Sequence, residues 1–118
     1  MLGIGGVFLR ASDPEALRAW YSAHLGIPIE AWGGNPFAAE SGDVTVWSIF
    51  PGDTGYWPAE QQTMVNYRVG DLDAMLAQLR AAGVEVDERV EEQEFGRFGW
   101  AVDPDGNRFE LWEPATPS

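Results

Sequence analysis

A duplicated pattern constrains this chain more than any other feature. Near the N-terminus, Val7-Phe8-Leu9-Arg10-Ala11-Ser12-Asp13 leads into a helical apolar pattern that stops at Leu25-Gly26-Ile27. Val65-Asn66-Tyr67-Arg68-Val69-Gly70-Asp71 leads into a second, which stops at Ala82-Gly83-Val84. The two aspartates stand 58 residues apart and the two glycines 57, so the helices differ by one residue. A unit of this length exceeds a solenoid repeat and occurs only twice. It predicts a pseudo-two-fold domain, with any pocket formed between the copies.

Length agrees with that reading. Split in two, 118 residues would leave each half too small for an ordinary core, so residues 1–118 are expected to form one domain. Module one is expected over about 1–58 and module two over about 59–115, from the repeat spacing. The net charge of −12 repels phosphate, which argues against nucleic acid and anionic membrane as partners and would draw cations at long range. The chain has no cysteine, so disulfides, thiolate zinc sites and cysteine nucleophiles are excluded. There is no basic leader and no apolar run approaching the ~20 residues of a membrane span, so a cytoplasmic location is expected.

Each module starts with a strand pattern and a capped helix. Residues 3–10 alternate loosely; Asp13 then offers an N-cap with Pro14 at the first helical position. Leu17, Trp20, Tyr21 and Leu25 recur at helical spacing, and Gly26 supplies the stop. Strands are expected at 27–32, 37–40 and 43–50, then a Pro- and Gly-bearing connection at 51–62 whose Tyr56 and Trp57 are placed to cover a pocket mouth. Module two repeats the order. A strand at 63–69 precedes a helix capped by Asp71, with Leu72, Met75, Leu76 and Leu79 on its buried face. Further strands are expected at 84–90, 95–102 and 107–113, the last two joined by the turn Asp103-Pro104-Asp105-Gly106-Asn107. Glu88, Glu91, Glu92 and Glu94 read as a solvated, charged sheet edge, and 114–118 as a frayed tail.

These residues resemble a known superfamily. The elements Val7 to Pro14, Tyr21…Leu25-Gly26, Val69-Gly70-Asp71-Leu72 and Asp103 to Trp112 are similar to the glyoxalase/bleomycin-resistance/extradiol-dioxygenase group, the vicinal oxygen chelate superfamily. The resemblance implies an α+β fold of two βαβββ modules whose curved mixed sheets form an open cup. It also implies a homodimer, and four inward His, Gln or Glu side chains able to hold a divalent metal.

Carried over position by position, that metal site is depleted. The first-strand ligand falls at Gly6 in module one and at Met64 in module two; glycine has no side chain, and a thioether prefers soft Cu(I). The last-strand position of module one falls near Trp47, and only Glu110 keeps a ligand-type side chain. A catalytic site normally has about three protein ligands, so no metal cofactor is expected. His24, the sole histidine, sits near a helix end, where packing or solvent exposure explains it.

Strand alternation gives the other cup-facing residues. Phe8 and Arg10 share the face of Gly6; Asn66 and Arg68 share that of Met64; Arg108 and Trp112 share that of Glu110. Trp47 and Trp100 are the expected aromatic walls. Aromatic surface with a few polar groups suits a small-molecule ligand, planar or cationic. Either Glu110 pairs with Arg68 or Arg10 as a structural ion pair, or it serves a ligand. The first reading is therefore a metal-free small-molecule-binding protein. The alternative is a superfamily enzyme, a glyoxalase-type lyase or isomerase or a dioxygenase, using Glu110 as candidate catalytic acid or base, with or without a metal.

Overall fold

The computed structural model describes Met1 and residues 4–115; Gly3 of the first expected strand and 116–118 of the expected tail lie outside the described residues. The chain divides into two compact units, Met1–Gly52 and Asp53–Ser118. Residues 53–58, expected in module one, belong to the second unit, because Tyr56, Trp57 and Gln61 hydrogen bond within it. No helix among the described residues is long and apolar enough to cross a membrane.

In the first unit the helix forms as its caps dictate. Helix α1, Pro14–Leu25, starts where the Asp13 side chain accepts the Ala16 N–H at 3.1 Å. It ends at Gly26, whose φ of 72° is the left-handed conformation that glycine tolerates without a Cβ clash. Leu17 and Tyr21 are its buried residues, and His24 sits in the last turn, 5.0 Å from the Trp20 ring. The strands expected at 3–10, 27–32, 37–40 and 43–50 are a correction: among the described residues of this unit, α1 is the only regular element. Alternation predicts an extended chain, but a strand also needs a neighbour within hydrogen-bonding reach.

The second unit realises the βαβββ order in full. Its elements are β1 (Asn66–Arg68), α2 (Leu72–Ala81), β2 (Glu91–Gln93), β3 (Gly96–Val102) and β4 (Arg108–Pro114). They build one mixed sheet in the order β1-β4-β3-β2, with β1 parallel to β4 and the other pairs antiparallel. Asp71 caps α2 by accepting the Ala74 N–H at 3.0 Å, and the Glu113 carboxylate accepts that of Leu72 at 2.9 Å. Leu72, Leu76 and Leu79 are fully buried together with Phe109 and Leu111 of β4. Helix and sheet approach closely at Gly99, where an added Cβ would lie 3.1 Å from both Leu76 methyl carbons. Tyr67 meets Phe109 edge-on, as expected for the helix-facing side.

One strand differs from expectation. Residues 84–90 make only the bridge Val86↔Ala101, and the regular outer strand falls at Glu91–Gln93. The cause is Asp87, whose carboxylate accepts the Arg89 N–H at 2.9 Å and turns the chain off the ladder. The acidic edge stands as expected, with β2 as the outermost strand. The Asp103–Asn107 turn also forms as expected: Asp103 is buried, its Oδ1 accepts the Asp105 and Asn107 N–H groups, and Gly106 takes φ 84°.

Candidate functional site

The sheet face opposite α2 carries the polar cluster. Register puts Asn66 of β1 and Trp100 of β3 on either side of Glu110 in β4. Because side chains alternate along strands, all three project from one face. Glu110 is 8% exposed and Trp100 0%. Burying a carboxylate costs several kcal/mol unless its lone pairs find donors, so its partners decide the site.

Those partners are neutral. The Trp100 indole donates to Oε2 at 3.0 Å, the Asn66 amide to Oε1 at 2.6 Å, and the Tyr56 phenol to Oε2 at 2.5 Å. An arginine pair was one of two expectations for this carboxylate; a phenol, an indole and an amide take that place. Tyr56 is the contributor that alternation could not find, since it arrives from the segment 53–62 and not from a strand. Its ring also meets Trp100 edge-on at 5.7 Å. Burial, followed by the hydrogen bond to Glu110 and the charge of that carboxylate, pushes the phenol well above its ordinary pKa. Tyr56 therefore stays protonated and keeps donating.

The segment 53–62 is fastened to β4 at both ends. Gln61 accepts the Arg108 N–H at 2.9 Å and donates to the Arg108 carbonyl at 2.7 Å, pairing as a neighbouring strand would. The Arg108 guanidinium closes the other end, donating to the Tyr56 carbonyl at 3.1 Å and pairing with Asp87 at 3.0 Å. Asp87 is held below the usual carboxylate range by the Arg89 backbone N–H first and by Arg108 second.

Of the residues singled out from sequence, Asn66, Trp100, Arg108 and Glu110 come together here. Trp112 shares the face, stacked parallel on Phe98 with ring centroids 6.1 Å apart. Arg68 is exposed further along β1, and Met64 is half-buried before that strand begins. Phe8, Arg10 and Trp47 belong to the first unit, where all three are exposed.

The residues around Glu110 do not fit a divalent ion. Both of its oxygens face N–H or O–H hydrogens, which a cation would have to displace. Among the described residues, no three His, Asp or Glu side chains converge to supply the usual donor set.

Comparison with known proteins identifies the fold's family. The chain belongs to the glyoxalase-like domain family, whose model matches residues 6–112. The antibiotic-binding protein TnmS3 from Streptomyces sp. CB03234 is similar at 26% identity, with 88% of each chain covered and a TM-score of 0.56. A glyoxalase/bleomycin resistance protein from the same organism is similar at 25% identity, covering 89% of this chain and 95% of its own, also at 0.56. A member of the glyoxalase/bleomycin resistance protein/dioxygenase superfamily from Sphaerobacter thermophilus DSM 20745 shares the fold at 20% identity, covering 96% and 98%, with a TM-score of 0.59. No curated protein matches.

Proposed function

We propose that this protein binds a planar small molecule without a catalytic metal, on the sheet face that carries Glu110, Trp100 and Trp112. The observation that carries the reading is the commitment of the Glu110 carboxylate. Of the positions that the family resemblance assigns to a metal, only Glu110 has a suitable side chain, and its oxygens are engaged by Tyr56, Trp100 and Asn66. What that face offers a visitor is the half-buried rings of Tyr56, Phe98 and Trp112 edged by polar groups, with Trp100 buried beneath. Aromatic surface with a few polar groups is the usual make-up of a small-molecule site. The similarity to an antibiotic-binding protein at 26% identity supports a sequestering role. The protein acts in the cytoplasm as a homodimer on this reading.

Two measurements test it. Protein purified without chelator contains less than a tenth of an equivalent of transition metal by elemental analysis; a stoichiometric ion held by three or more protein atoms refutes the metal-free reading. A thermal-shift and tryptophan-fluorescence panel of aromatic antibiotics, dicarbonyls and catechols includes a compound that raises Tm, since a ligand stabilises the state it binds. Catalytic turnover of a dicarbonyl or catechol would replace binding with enzymatic function.

A further inference from the structure

Beside the Glu110 cluster, an open groove of about 740 Å³ is lined by the segment 54–59, by Asp87 and Arg89, and by Arg108. Its size falls in the range of small-molecule sites. Its charge is unusual for this chain. The seven basic residues are all arginine, against 19 acidic ones, and Arg89 and Arg108 both lie over the Trp100 ring, at 4.6 and 5.6 Å from its centroid.

The two guanidinium groups are in different states. Arg108 is neutralised by Asp87 at 3.0 Å and pinned by its bond to the Tyr56 carbonyl. Arg89 is fixed at its base, because its backbone N–H is bound by Asp87 and its guanidinium rests on Trp100. Its side chain is nevertheless 53% exposed, and its contact with Glu91 is 3.5 Å long, beyond the 2.7–2.9 Å of a strong charge-assisted bond. An exposed pair at that distance is worth little and exchanges readily for a better acceptor. Asp87 is ionised throughout the neutral range and already committed, so Arg89 is the groove's exchangeable cation. Tyr56 and Trp57 also line the groove.

We infer that this groove is a binding site for a planar aromatic monoanion, with Arg89 as the residue that recognises its carboxylate or phenolate. The inference rests on the small-molecule reading above and narrows it: the molecule's net charge favours cations at long range, whereas contact chemistry in the groove selects an acceptor.

The test compares two probes of one shape, 1-naphthoate and neutral 1-naphthamide, by tryptophan quenching and by perturbation of the Arg89 side-chain NMR signal. The whole chain binds 1-naphthoate about fivefold more tightly than 1-naphthamide, the size expected of one exposed charge-assisted contact. Arg89→Gln brings the ratio of 1-naphthoate to 1-naphthamide affinity to about one, and Arg89→Lys restores part of the preference. Equal affinity for the two probes, a preference that survives Arg89→Gln, or no binding of either probe overturns the inference. If aromatic antibiotics bind while neither naphthyl probe does, the groove assignment fails and the small-molecule reading stands. If nothing in either set binds, both fail.

Discussion

Replacing Tyr56 by Phe removes a single hydroxyl from the most heavily engaged point of the second unit. The ring remains, so the edge-on contact with Trp100 at 5.7 Å is kept. What is lost is one hydrogen bond to a carboxylate that is only 8% exposed, while Trp100 and Asn66 go on donating. Hydrogen bonds to charged groups contribute about 1.5–3 kcal/mol, and the site is too closed for water to replace the phenol freely, so a loss of about 2 kcal/mol is expected. At about 2.1 cal/mol/K of unfolding entropy per residue, that corresponds to a fall in Tm of roughly 8 °C for a chain of this length. Urea denaturation at pH 7 of wild type, Tyr56→Phe, Glu110→Gln and the double variant completes a cycle, with a coupling energy of at least about 1 kcal/mol expected for groups in contact. A Tyr56→Phe variant within about 0.5 kcal/mol of wild type, or a strictly additive cycle, would show that Tyr56 does not hold the carboxylate.

The raised pKa of Tyr56 leads to an alkaline prediction. Its folded value lies above its unfolded one, so its contribution to stability is complete below about pH 10 and is lost as pH climbs from there towards the folded value. In a spectrophotometric titration, Tyr56 should ionise only together with unfolding, a step identified by its loss in Tyr56→Phe; a Tyr56 that titrates in the folded protein near the ordinary tyrosine value would contradict this. Gly96→Ala should abolish soluble expression or cost more than about 3 kcal/mol, because φ there is 135° and an added Cβ would sit 2.2 Å from the Glu113 carbonyl oxygen; equilibrium unfolding of any folded variant measures it. Leu76→Ala should destabilise by about 2–5 kcal/mol in the same assay, since its side chain fills the contact between α2 and Gly99.

Much of the second unit could be read along the chain. Asp71 as a cap, the Leu72-Leu76-Leu79 stripe, the Asp103–Asn107 turn and the alternation of β4 all rest on interactions spanning a few residues. Periodicity and turn chemistry therefore reported them. Parity put Arg108 on the side of Glu110 within one strand and Asn66 on that of Met64 within another, but that Asn66 and Trp100 flank Glu110 came from the strand register. That residues 27–50 form no regular strand was not legible, because alternation describes an extended chain without saying whether another backbone is within reach.

The partners of Glu110 mark the division most clearly. From sequence alone came the second unit's βαβββ order, a property of residue type and local spacing, while the singling out of Glu110 came from the family resemblance laid over those residues. Tyr56 stands 54 positions from that carboxylate and reaches it because the Gln61 amide pairs with the backbone of Arg108 while the Arg108 guanidinium holds the Tyr56 carbonyl, drawing the segment across the sheet. The same fold sets Arg89 and Arg108 over one tryptophan. Such pairings depend on where distant segments come to lie once the core has closed, which no local pattern encodes.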